Sequence, residues 1–142
     1  MKIKQVEIQK LLPYKENPRK HTEKQVEQIA KSIKEFGFVN PILADENNMI
    51  LAGHGRYLAA TSLRLDTVPV VVIDNPDENQ KKALVIADNK IAMNSTWDES
   101  LLWEQIRQLS DKGFNLDLLA FDEMEILPMT DPNTVLDPLS EW

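Results

Sequence analysis

Four consecutive residues near the middle of the chain, Gly53-His54-Gly55-Arg56, have the types and order of an anion-binding turn. They follow a short apolar run that predicts a strand, and they precede a segment of helical composition. Glycines at such a junction leave backbone N–H groups unobstructed, and the start of a helix adds a partial positive charge. Arg56 would oppose this helix dipole unless something negative binds nearby, and its planar guanidinium suits a phosphate. A glycine turn that only changes the direction of the chain is the alternative.

His54 and Asp88 are the residues in this region that could take part in catalysis. An unperturbed imidazole has a pKa of about 6.5, so His54 could donate to a phosphate or exchange a proton near neutral pH. Asp88 lies at the edge of the apolar stripe of a predicted helix, where it could pair with Arg56 or bind a metal ion. The alternatives are an ordinary loop histidine and an ordinary flanking carboxylate.

Two other segments predict further ligand contacts. The basic, proline-containing loop of residues 13–21 includes Asn17 and Arg19, which could close over a ligand from the opposite side. Asn89 and Lys90 follow Asp88 on the predicted helix and could reach the same phosphates. A solvated loop and a solvated helix end are the competing interpretations.

Helical and strand patterns alternate along the chain, which predicts an α+β fold. Capping residues indicate helix starts at Thr22, Asn75 and Thr96, and glycines indicate helix ends at Gly37 and Gly113. The predicted helices cover residues 23–36, 56–65, 76–92, 97–112 and about 120–127, and the predicted strands cover 39–44, 49–52 and 68–73.

Composition limits the class of protein. The 142 residues carry a net charge of −7 and include no cysteine and two histidines. The lack of cysteine excludes disulfides, thiolate zinc sites and cysteine nucleophiles. No apolar run is long enough to cross a membrane and no signal-peptide block follows the first residues, so we expect a cytoplasmic protein. The negative charge predicts weak or no binding to duplex DNA, although the first part of the chain is basic and the last part acidic.

Three ordered blocks resemble the N-terminal domain of the ParB family, a superfamily shared with sulfiredoxin. Asn17-Pro18-Arg19 precedes a helix that ends in Gly37-Phe38-Val39-Asn40-Pro41-Ile42, similar to the family's Gly-Val-X-X-Pro-Ile. The segment 52–60 resembles its Gly-Glu-Arg-Arg-X-X-Ala-Ala box, and Val68-Pro69-Val70-Val71-Val72 resembles the strand that follows. The resemblance implies a small ParB/sulfiredoxin-like domain with a mixed sheet packed by helices.

The chain also departs from the family pattern. His54 replaces the glutamate of the second box, and Asp88-Asn89-Lys90-Ile91-Ala92 has alanine where the family's Glu-Asn-X-X-Arg box has arginine. The cysteine of sulfiredoxin is absent. These variant boxes are similar to ParB-like domains of phages and mobile elements, which often stand ahead of DNA methyltransferases.

The resemblance implies a nucleoside triphosphate, ATP or CTP, with or without Mg²⁺, held by residues 53–56 with Asn17, Arg19, Asn89 and Lys90. We expect this module at residues 1–94, a helical extension at 95–127 and a linker or tail at 128–142. The implied role is in DNA modification, partition or mobile-element DNA metabolism. The implied partner is a DNA-modifying or DNA-binding protein, either separate or fused as a further domain. The sequence does not decide whether the chain forms a homodimer. The alternatives are an enzyme of the same fold, either a nuclease, an NTPase or a small-substrate phosphotransferase, and an acidic protein-interaction module.

Overall fold

The computed structural model describes residues 2–135. The chain divides into two compact units, Met1–Asn94 and Ser95–Trp142, called here the N-terminal and C-terminal units. The predicted assignment of residues 1–94 to a module, 95–127 to a helical extension and 128–142 to a linker or tail stays a prediction.

The N-terminal unit is a four-stranded mixed sheet packed by helices, which confirms the predicted α+β class. The strands stand in the order β1-β4-β2-β3, with β1 and β3 antiparallel to their neighbours and β2 parallel to β4. The elements in chain order are β1 (Ile3–Glu7), a 3₁₀ turn (Ile8–Lys10), α1 (Glu23–Phe36), β2 (Ile42–Ala44), β3 (Ile50–Ala52), α2 (His54–Ser62), β4 (Thr67–Val72) and α3 (Glu78–Met93).

The main core cluster of this unit includes residues of all four strands. Alternate residues of β4, Val68 and Val70, are fully buried, as the period of a strand requires when one of its faces is covered. The other buried members of the cluster are Val6, Leu11, Ile42, Ala44, Ile50 and Ala60.

A buried carboxylate connects the β2–β3 turn to α3. Asp45, only 3% exposed, accepts hydrogen bonds of 2.9 Å from the backbone N–H groups of Asn47 and Met49. The ammonium of Lys81, in the first turns of α3, lies 3.0 Å from its other oxygen. Burial alone would raise the pKa of Asp45, but these hydrogen bonds and the charge of Lys81 outweigh burial and lower it. The pair therefore fastens the start of α3 to the turn that leads into β3.

The starts of three helices differ from the sequence predictions. Asp77, not Asn75, caps α3, because Asp77 and Gln80 form a reciprocal capping box while Asn75 takes a left-handed conformation with φ 45°. Asp98, not Thr96, accepts the capping hydrogen bond of the next helix. α2 begins at His54 instead of Arg56, so the glycine turn itself is part of the helix start.

β1 was not predicted. Its sequence Ile-Lys-Gln-Val-Glu has one buried residue, Val6, and otherwise exposed positions. A strand that buries so little apolar surface gives no periodic signal, and pairing with β4 is what makes it a strand.

The C-terminal unit contains α4 (Glu99–Asp111), a 3₁₀ turn (Leu116–Leu119) and α5 (Glu123–Thr130). Trp103, Ile106 and Met129 are its buried core. The end of α5 predicted at residue 127 is wrong, because the helix continues through Pro128 and buries Met129. The last seven residues of the predicted tail, 136–142, lie outside the described residues. Across residues 2–135, no helix combines the length and apolar character needed to cross a membrane.

Candidate functional site

One pocket of the N-terminal unit lies where β3 ends and α2 begins. It contains every predicted site residue except Lys90, which is exposed on α3 and does not line it. The lining residues are Asn17, Arg19, His21, Gln25, Ile29, Leu51, Ala52, Gly53, His54, Gly55, Arg56, Asp88 and Asn89. The structure thus brings together the glycine turn, the basic loop and the second half of α3.

Gly53 is the N-cap of α2 and has the left-handed conformation, with φ 98° and ψ 25°. Side chains rarely adopt this conformation, and a Cβ here would lie 3.0 Å from Nη2 of Arg56 and 3.2 Å from Cγ1 of Ile42. No side chain caps the helix, so its first N–H groups are available at the pocket. This is the arrangement that favours an anion at a helix start.

Gly55 has a different role, which is close packing between helices. A Cβ at this position would lie 2.8 Å from Cδ1 of Ile29 and 3.1 Å from two atoms of the His21 ring. The absence of a side chain therefore allows α1 and the end of the basic loop to approach the start of α2.

Arg56 has a partly satisfied guanidinium. Its Nη2 donates to the carbonyl of Pro41 at 3.1 Å, while its buried Nε has no hydrogen-bond partner within residues 2–135. Burial lowers the pKa of Arg56, and the nearby charge of Asp88 opposes that shift. The predicted attraction between Asp88 and Arg56 is therefore present as a charge effect, but no direct ion pair joins them in the described part of the chain.

His54 is held by the backbone. The N–H of Tyr14 donates to its Nε2 at 3.2 Å, so this nitrogen acts as an acceptor and the ring is neutral. Burial, and then the charge of His21, lower the pKa of His54 to about 4. A neutral ring that fastens the loop to α2 does not match the expected exchange of protons near pH 7.

Two residues of α3, Asp88 and Asn89, line the pocket. One amide hydrogen of Asn89 is used within the helix, since Nδ2 donates to the carbonyl of Val85 at 2.7 Å. Asp88 is exposed at the pocket edge. Within residues 2–135, no group of three or more His, Cys, Asp or Glu is placed to hold a metal ion. Any Mg²⁺ here would depend on ligand phosphates for most of its coordination.

His21 and Gln25 were not predicted as site residues. Nδ1 of His21 lies 2.8 Å from Oε1 of Gln25, one helical turn away. Gln25 stands at the capping-box position after Thr22, and its backbone N–H donates to the Thr22 hydroxyl. Its side chain does not complete the capping box, because it contacts His21 instead. A histidine directly before the N-cap of a helix was the available signal.

The basic loop is shaped by local hydrogen bonds. Oδ1 of Asn17 accepts from the backbone N–H of Arg19 at 3.0 Å, which makes an Asx turn. Nη1 of Arg19 lies 3.4 Å from the sulfur of Met93, the last residue of α3. The loop thus spans the pocket opening from α1 to α3 and carries a guanidinium there.

Several features of the pocket favour a negatively charged ligand. An uncapped helix start, the partly unsatisfied guanidinium of Arg56 and the guanidinium of Arg19 all favour negative charge. The open backbone at Gly53 allows close approach of a ligand to the N–H groups.

Comparison with known proteins relates the N-terminal part of the chain to one family. The profile of the ParB N-terminal domain matches residues 1–89. A ParB-like nuclease domain-containing protein of Escherichia coli, YnaK, is 46% identical over 82 residues, which are 58% of this chain and 94% of YnaK. A probable chromosome-partitioning protein ParB of Rickettsia typhi is 32% identical over 85 residues, 59% of this chain but only 29% of the Rickettsia protein.

Solved structures show the same fold. A C-terminally truncated chromosome-partitioning protein ParB from Caulobacter crescentus, complexed with CTP-gamma-S, gives a TM-score of 0.71 at 21% identity, covering 92% of this chain and 77% of that chain. Sulfiredoxin from Arabidopsis thaliana gives a TM-score of 0.51 at 22% identity, covering 59% of this chain and 98% of sulfiredoxin. The ParB/sulfiredoxin resemblance read from the sequence is confirmed. Residues 1–89 and the architecture that they form place this chain in the ParB N-terminal domain family.

Proposed function

We propose that the N-terminal unit binds a nucleoside triphosphate with its phosphates at the start of α2. The observation that supports this proposal most strongly is the state of the Arg56 guanidinium. Its buried Nε has no hydrogen-bond partner within residues 2–135, and it lies next to the start of α2, which no side chain caps. A buried donor without an acceptor is costly, and a phosphate oxygen would supply that acceptor.

The other pocket residues have roles that follow from their positions. The N–H groups next to Gly53 and Gly55 would hold phosphate oxygens, and Arg56 would add charge-assisted hydrogen bonds. Arg19 and Asn17, on the basic loop, would close over the ligand from the opposite side. His54 would keep that loop in place through its hydrogen bond to Tyr14.

We infer CTP rather than ATP as the ligand, because the ParB structure of the same fold was solved with CTP-gamma-S. Hydrolysis has less support. His54 is neutral and fastened to the backbone, and Asp88 is exposed, so neither of the expected catalytic residues is arranged for proton transfer.

Isothermal titration calorimetry with CTP, ATP, GTP and UTP, each with and without Mg²⁺, tests the proposal. We expect Arg56→Ala to weaken binding of the preferred nucleotide by about 1.5–3 kcal/mol, the range for a hydrogen bond to a charged group. Arg64→Ala is the matched control, since Arg64 lies beyond the other end of α2 and is exposed. Equal losses in the two variants, or no binding of any nucleotide by the wild type, would refute the proposed site.

The family relationship suggests where such binding would act. Relatives of the matched region are named as chromosome-partitioning proteins, although this chain spans less than a third of the Rickettsia ParB. We infer that nucleotide binding orders the basic loop and so controls self-association or contact with a DNA-modifying or DNA-binding partner. Sedimentation of the protein with and without CTP, and with Arg56→Ala, measures the first of these outcomes.

A further inference from the structure

The C-terminal unit is strongly acidic. Its described residues 95–135 contain nine Asp and Glu against two basic residues, Arg107 and Lys112. Arg107 is used within the unit, because its guanidinium lies 5.5 Å above the Trp103 ring and its Nε donates to the Met129 carbonyl at 2.9 Å. Within residues 95–135, Lys112 is therefore the one remaining basic side chain that could offset the negative charge of the surface carboxylates.

An apolar groove runs along the outer face of α5. Met124 is 83% exposed and Leu127 59% exposed, one helical turn apart, while Met129 on the other face is fully buried. These two residues line the groove, called here the α5 groove, together with Pro128, Thr130, Asp131 and Thr134. Large apolar side chains exposed in this way on adjacent turns are typical of a contact surface.

Acidic residues flank the groove along the helix. Glu123 lies four residues before Leu127, and Asp131 lies four residues after it, so the three share one side of α5. The groove therefore presents an apolar centre with negative charge at both ends. This pattern is complementary to a helix with an apolar stripe and basic flanks.

We propose that the α5 groove docks a basic, amphipathic helical segment of a partner protein. Negative charge disfavours several other occupants: nucleic acid, anionic lipid surfaces and the acidic C-terminal unit of a second copy are all repelled by the acids of this unit. A basic segment gains both the burial of Met124 and Leu127 and attraction to Glu123 and Asp131. The docking is independent of the nucleotide pocket.

A fluorescent helical peptide of leucine and lysine, with the leucines on one face, is a suitable probe for the full chain. A scrambled peptide of the same composition lacks the apolar stripe, and a leucine–glutamate peptide reverses the charge. We expect the leucine–lysine peptide to bind at least about tenfold more tightly than the scrambled one, as expected when a few apolar anchors dominate an interface. The leucine–glutamate peptide should not bind.

Variants locate the binding. Leu127→Ser should weaken the leucine–lysine peptide by about tenfold or more, the loss typical of an interface anchor, and Asp131→Asn should reduce the dependence of binding on salt. Ile86→Ser is the matched control, because Ile86 is 57% exposed on α3 of the N-terminal unit. Circular dichroism checks that each variant keeps its helices.

Three results would overturn the proposal. Equal affinity for the ordered and scrambled peptides would mean that charge alone attracts them. Equal effects of Leu127→Ser and Ile86→Ser would place the contact outside the groove. Self-association of the wild type that Leu127→Ser abolishes, without peptide binding, would show that a second copy occupies the groove.

Discussion

The imidazole of His54 has a lower proton affinity in the folded protein than in the unfolded chain. Its pKa falls from 6.5 to about 4 on folding, chiefly because it is buried. Between these values the unfolded chain binds more protons, so the free energy of unfolding should fall as the pH is lowered from about 6.5 to about 4. His54→Gln keeps an acceptor for the Tyr14 N–H but cannot titrate, and its stability should lack this part of the pH dependence. Urea denaturation at a series of pH values measures the difference. Parallel profiles for the two proteins would contradict the lowered pKa.

Single residues show what the sequence could and could not predict about the site. The glycine turn, Arg56 and the loop residues Asn17 and Arg19 were predicted to share a pocket, because their types suit an anion and the family resemblance set their order. The protonation state of His54 could not be predicted, since it depends on burial and on Tyr14, which lies 40 residues away in the chain. Lys90 does not line the pocket, because a two-residue step along a helix from Asp88 turns a side chain to the opposite side, and its contact with ligand phosphates stays a prediction.

The contact between α1 and α2 depends on Gly55. Gly55→Ala introduces a Cβ 2.8 Å from Cδ1 of Ile29, the flexible end of that side chain, and 3.1 Å from the His21 ring, so we expect a loss of about 1 kcal/mol in the free energy of unfolding, the lower end for overpacked sites. Ile29→Val removes that Cδ1, and the alanine should cost less in this background. Denaturant unfolding of the two single variants and the double variant measures the coupling. Additive effects would show that Ile29 is not the obstacle.

Helices and strands were predicted unequally well for a physical reason. α1 was predicted with its observed bounds because Thr22, an amphipathic stripe and Gly37 all agree. The start of α3 was misplaced because both Asn75 and Asp77 are capping residues, and only the side-chain partner of each decides between them. β1 gave no local signal, because its partner β4 lies some sixty residues later in the chain.

The charge of the whole chain limits its contact with nucleic acid. With a net charge of −7, this protein alone should bind random duplex DNA no more tightly than about 10⁻⁴ M at physiological salt, the weak end of non-specific binding. Fluorescence anisotropy of a labelled duplex, titrated with protein over a series of salt concentrations, measures the affinity. Tight binding with a steep salt dependence would show that the basic loop outweighs the acidic C-terminal unit.

The position of β1 at the edge of the sheet has a consequence for handling the protein. β1 pairs with the edge of β4 that would otherwise have no neighbouring strand. Two alternate residues of β4, Val68 and Val70, are buried in the core. The exposed Lys4 and Glu7 place charges along the outer margin, which discourages the addition of another strand. A recombinant fragment that begins after residue 7 would leave the hydrogen-bonding groups of β4 open to strands from other molecules. Such a fragment should precipitate or form intermolecular sheets on concentration, so shortened versions of this protein need to retain their first strand.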